Sequence, residues 1–169
     1  MERNHKDMAL LGGSVAGFAI LSLSFLLMPL DNMTILSGAL FWAGLLAGAG
    51  IQIALSARRK ALFRKYNVNC KTMQKPRNGL LSFASNKIAL VADIVCAVSI
   101  IATVLSFVLT NGTGYMCYVS LAMLVFSFSA HCIFNGRIYF YIQNREKICQ
   151  ALEQKKANHS NKGEGKNGK

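Results

Sequence analysis

Four stretches of this 169-residue chain, Met8–Leu30, Ile35–Ala57, Ile88–Thr110 and Gly114–Gly136, hold between them one aspartate, one histidine and no lysine, arginine or glutamate. Each is 23 residues long. As a helix each would extend about 34 Å, enough to cross a hydrocarbon core of about 30 Å. A soluble helix needs a polar stripe along one side, and these blocks lack one. The expected fold is therefore all-α, a four-helix transmembrane bundle. Met8–Leu30 is too long for the apolar part of a signal peptide. The "LLMPLDN" that ends it offers no small-x-small cleavage site, so it is expected to be a retained span.

Charge then orients the spans. Of 19 Lys and Arg, two precede the first block, nine lie between the second and third, and eight follow the fourth. None falls in the short links at 31–34 and 111–113. The positive-inside rule puts both termini and the middle loop in the cytoplasm of a multi-pass protein of the cytoplasmic (plasma) membrane. The spans thus form two in-out-in hairpins. Links this short force adjacent helices to pack antiparallel. Their Asn, Gly, Thr and Asp suit tight turns, including the glycosylation-like "NMT" and "NGT" at Asn32 and Asn111.

Residues 1–156 are expected to form a single membrane domain. In the basic loop 58–87, "ARRKALFRKY" continues the second helix and "KPRNG" breaks it. "LLSFAS" follows and feeds the third span. Residues 137–156 are expected to prolong the fourth span as a cytoplasmic helix, with Ile138, Ile142, Cys149 and Leu152 at roughly helical spacing. From 157 to 169 the chain is polar, Gly-rich and basic, the composition of a disordered tail. Tyr115 and Tyr118 at one membrane surface, and Tyr139 and Tyr141 at the other, suit aromatic belts. Five cysteines include no C-x-x-C, and Cys70 and Cys149 fall on the reducing side, so no disulfide framework is expected.

Two features bear on packing. Small residues at Gly13-x-x-x-Gly17 and Gly44-x-x-x-Gly48 allow close helix approach, within a hairpin or towards a homo-oligomer or membrane partner. Four polar residues, Ser14, Gln52, Asp93 and His131, each lie five or six residues inside the basic end of their span. That is a common depth on the order of 8 Å, which permits one polar layer. A carboxylate within lipid is normally paired, and His131 is the natural partner for Asp93. The layer could lock the helices or handle protons and ions.

Asp93 and Cys96, three residues apart on a helix, could meet His131 as mixed metal donors, but no repeated donor motif supports a metal path and none is expected. No cofactor motif is present. There is no G-x-S-x-G, P-loop, H-E-x-x-H or carboxylate pair, so no enzyme is expected. The net charge of +12 is concentrated in the loop and tail. Arg58, Arg59, Lys60, Arg64 and Lys65 suit a surface facing anionic lipids. No nucleic-acid recognition fold accompanies them. The expectation is a non-enzymatic accessory or scaffold protein that binds membrane partners. The competing one is an oligomeric small transporter or proton/ion-coupled protein using Asp93 and His131.

Overall fold

A computed structural model describes residues 2–66 and 80–164. Cys70, the "KPRNG" break and the last five residues lie outside the described residues. Six α-helices follow one another: α1 Glu2–Leu27, α2 Thr34–Lys65, α3 Lys87–Leu109, α4 Tyr115–Phe134, α5 Arg137–Gln143 and α6 Arg145–Glu164, with one 3-10 turn at Asp31–Met33 before α2. Among the described residues there is no strand. The first four helices are long and apolar enough to cross a membrane.

The ends of these helices follow local chemistry. Asn86 caps α3, its side-chain oxygen accepting the Ala89 N–H at 2.9 Å. Asn111 and Gly112 both take positive φ, 51° and 76°, in the turn between α3 and α4. Asn and Gly are the residues that reach this region most readily. The "NGT" there is a turn. The "ARRKALFRK" run belongs to α2, which continues without a break to Lys65.

In the α1–α2 hairpin the backbones nearly touch. A Cβ on Gly17 would sit 2.5 Å from the Gly48 nitrogen. One on Gly44 would collide with the Leu21 backbone and lie 2.7 Å from the Gly17 carbonyl oxygen. Gly48 faces the Phe18 ring, and Gly13 faces the Ile51 methyl. Gly17, Gly44 and Gly48 are therefore buried within this hairpin, and Gly13 is half-buried.

The α3–α4 hairpin packs differently. Its contacts run through side-chain hydroxyls and thiols. Thr103 donates to the Ser120 carbonyl at 3.1 Å, and Thr110 Oγ1 lies 2.9 Å from Cys117 Sγ. Helix α1 packs against α4, whereas α3 packs mainly against α4. Along most of α3, apolar side chains such as Val91, Val98, Ile101, Val104 and Val108 are exposed.

At the charged end the chain departs from a simple helical extension. Helix α4 stops at Phe134, and Gly136 is extended. A Cβ there would lie 2.7 Å from the Cys132 carbonyl, so the break is tied to glycine. The expected extension is two helices, and α5 folds back against α1 and α2. Tyr139 and Tyr141 are consequently buried with Ile142, Leu152, Leu11, Leu55, Phe63 and Ile133. They are core residues and not a membrane belt. Their rings supply apolar area that the short α5 would otherwise lack. Helix α6 runs from Arg145 to Glu164.

Candidate functional site

The most concentrated polar chemistry inside the spans lies where the start of α3 meets the end of α4. Asp93 is two turns into α3, and His131 is one turn before the end of α4. Antiparallel pairing brings them level. His131 Nδ1 lies 2.6 Å from Asp93 Oδ1, with side-chain exposures of 4% and 10% respectively.

Two further groups complete the site. Asn135, fully buried one turn beyond His131, donates from Nδ2 to Asp93 Oδ1 at 2.7 Å. Its own oxygen accepts the Ser85 N–H at 3.2 Å. Ala84 donates its backbone N–H to Asp93 Oδ2 at 2.6 Å. It does so from a left-handed conformation, φ 49°, which costs a residue with a Cβ about 1–2 kcal/mol. The segment 80–86 is thus folded over the carboxylate like a cap. Asn86 fixes its far end by donating to the Phe134 carbonyl at 3.1 Å.

The Asp93 carboxylate accepts three hydrogen bonds, from His131, Asn135 and Ala84. His131 Nε2 lies 3.4 Å from the Leu80 carbonyl oxygen. The Asn135 amide nitrogen lies 3.3 Å from Nδ1 of the same ring. Phe83 and Phe128 flank the ring, with centroids 5.1 and 6.2 Å away. Asn135 and Ala84 are members that sequence reading did not supply. Asn135 had a signal: it is four residues from His131 and so on the same helix face. The Ala84 backbone had none.

Ser14 and Gln52 meet elsewhere. Gln52 Nε2 donates to Ser14 Oγ at 3.0 Å, and Ser14 donates to the Gly48 carbonyl at 2.9 Å. Among the described residues no hydrogen bond joins this relay to the Asp93–His131 cluster. The four residues of similar depth form two pairs, one within each hairpin. No group of three His, Cys, Asp or Glu side chains converges as a metal site among the described residues.

The expected basic surface divides as well. Lys60, Arg64 and Lys65 are exposed. Arg59 is instead 7% exposed, on the same face as Leu55 and Phe63, and among the described residues its Nε and Nη1 have no hydrogen-bond partner. The cause is helix period, since position 59 lies four residues from each of those core positions. Arg58 Nη1 donates to Asp7 Oδ1 at 3.0 Å, and Arg145 Nη1 donates to Asp7 Oδ2 at 3.1 Å. Asp7 itself is buried. Beside it, burial pushes the Tyr141 phenol above its ordinary range; Arg145 opposes that rise, and Asp7 and Cys149 add to it.

The chain matches no family model, no curated protein and no solved structure. The physical description therefore defines the class: an all-helical protein with four candidate membrane-spanning helices.

Proposed function

We propose that the protein is a small multi-pass component of a cytoplasmic membrane, a four-helix bundle of two in-out-in hairpins with both termini and its basic segments in the cytoplasm. It serves as a non-enzymatic accessory or scaffold protein that binds a membrane partner through the open side of α3. The observation that carries this reading is that outward apolar side chains of α3 are exposed beside a groove at its seam with α4. Helix α2 also exposes Trp42, Leu46 and Ile53, but its glycine face is already filled by α1. A groove of about 470 Å³ runs along the α3–α4 seam, lined by Val91, Val95, Phe126 and Phe134 among others. It suits the side chains of a neighbouring helix. The location of the basic residues at one end supports the orientation.

The test is site-specific photocrosslinking in native membranes from Val98 and Ile101 on α3, with the more exposed Ile53 on α2 as control. A protein adduct from α3 positions alone is the expected result. Lipid adducts at all three positions, with no protein, would remove the reading.

A second reading rests on the 2.6 Å carboxylate–imidazole contact inside the spans: an oligomeric proton- or ion-coupled protein in which the pair exchanges a proton. Reconstituted vesicles decide it. Flux that depends on pH and disappears in Asp93→Asn supports this reading, and no flux in the parent protein across plausible ions eliminates it.

A further inference from the structure

A cleft of about 440 Å³ opens at the charged end, between the start of α1, the end of α2 and the turn from α5 to α6. Its polar lining is Lys6, Asp7, Arg58, Lys65, Tyr141 and Arg145. Four of these are cations and one is a carboxylate, so the lining carries an excess of positive charge. The volume is in the range of small-molecule sites, roughly 300–1,000 Å³.

The geometry points to more than a diffuse basic surface. Asp7 sits at the buried edge of the cleft and takes one guanidinium on each of its two oxygens. Arg58 and Arg145 come from segments 87 residues apart in sequence, and this carboxylate holds them side by side. Each uses one Nη for Asp7, and a guanidinium has five N–H donors, so both keep donors for a second acceptor. Tyr141 is packed against Arg145 and further limits its freedom. Lys6 and Lys65 are exposed and stand at the rim. Paired guanidinium forks with ammonium groups around them match a phosphate with several acceptor oxygens. The cleft also lies at the ends of the spans, beside the first residues of α1 and beyond Ala57 of α2, the level at which lipid headgroups meet protein.

We propose that this cleft is a binding site for a phosphomonoester. Such a group carries about −1.5 to −2 charges at neutral pH and three acceptor oxygens. A phosphodiester headgroup carries a single charge and fewer free oxygens, so the site discriminates against it. The phosphomonoester is either the head of an anionic lipid or a soluble phosphate ester. The inference rests on the orientation proposed above only for which leaflet would supply a lipid; it does not depend on a protein partner.

The experiment is titration of the full-length protein, purified in mild detergent, with short-chain phosphatidic acid, short-chain phosphatidylcholine and glycerol phosphate, read by isothermal calorimetry at fixed ionic strength. Phosphatidic acid is expected to bind at least tenfold more tightly than phosphatidylcholine. Equal binding of glycerol phosphate assigns the site to a soluble ester, and binding of the lipid alone assigns it to a headgroup; both support a phosphomonoester site. Lys6→Gln with Lys65→Gln, two exposed rim changes, should weaken binding about 25-fold, from about fivefold per basic residue near a membrane surface. Lys60→Gln with Arg64→Gln removes the same charge from the same end without touching the lining and should change it less than about threefold. Equal losses in the two double variants, or no preference over phosphatidylcholine, overturn the proposal. Either result leaves the α3 crosslinking outcome unaffected, so the two readings fail separately.

Discussion

The two long hairpins solve the same problem by different means. Inside lipid there is little hydrophobic drive between helices, so packing and polar contacts must hold them. Helices α1 and α2 use absence of side chains: Gly17, Gly44 and Gly48 let backbones come within a distance that a single Cβ would forbid. Helices α3 and α4 place a hydrogen-bonded cluster around Asp93 and His131 at one end. Close packing is distributed over several turns and tolerates no added bulk. A polar cluster concentrates its contribution at one point and tolerates no unpaired member.

Several substitutions can break or sharpen this contrast. The largest effect is expected from His131→Ala, which leaves the Asp93 carboxylate short of its closest side-chain partner. Removing one member of a buried pair costs about 3–5 kcal/mol, and reversible unfolding in mixed micelles should show it. The double change His131→Leu with Asp93→Leu should cost less than either single change, because no charge is then left unpaired. If the double variant is worse than both, the cluster is not acting as a pair.

Gly17→Ala should come next, with a loss of about 1–3 kcal/mol from overpacking against the Gly48 backbone. The same measurement on Gly12→Ala and Gly50→Ala serves as the internal control. Nothing lies within 4 Å of a Cβ at either position. Both should be neutral or more stable by about 0.5–1 kcal/mol, the usual gain when a helix-interior glycine becomes alanine. Equal losses at positions 12 and 17 would mean that the close approach of α1 and α2 does not hold in the membrane.

The smallest effect is expected for Ser14→Ala. Hydrogen bonds between membrane helices average about 0.6 kcal/mol in double-mutant cycles. A cycle with Gln52→Leu should return a coupling of that size between Ser14 and Gln52, and no coupling between Ser14 and His131. A measurable Ser14–His131 coupling would join the two polar pairs into a single layer after all.

How legible these features were in the sequence depended on their range. The four apolar helices could be read directly because length and hydropathy are properties of contiguous residues. The continuation of α2 to Lys65 was legible for the same reason. Asp93 and His131 could be nominated as a pair from depth alone. Asn135 was available on the His131 face but unremarked in an apolar run. The fate of Asp7, Tyr139 and Tyr141 was not legible at all. Each depended on α5 turning back after Gly136 to cover the charged end, and a glycine marks a possible break without stating the direction taken after it.

The sequence by itself determined the all-helical class, the four segments able to cross a membrane and the absence of lysine and arginine from the short links at 31–34 and 111–113. Lipid imposes those features locally, since each backbone must satisfy its own hydrogen bonds and each charge must avoid the hydrocarbon. Tertiary structure alone decided which small residues face each other and that four polar residues of similar depth separate into two pairs. It also decided that two arginines distant in sequence share Asp7 beside a cleft. Those outcomes depend on the rotation of each helix about its axis, and helices apolar all round leave that rotation unspecified until they pack.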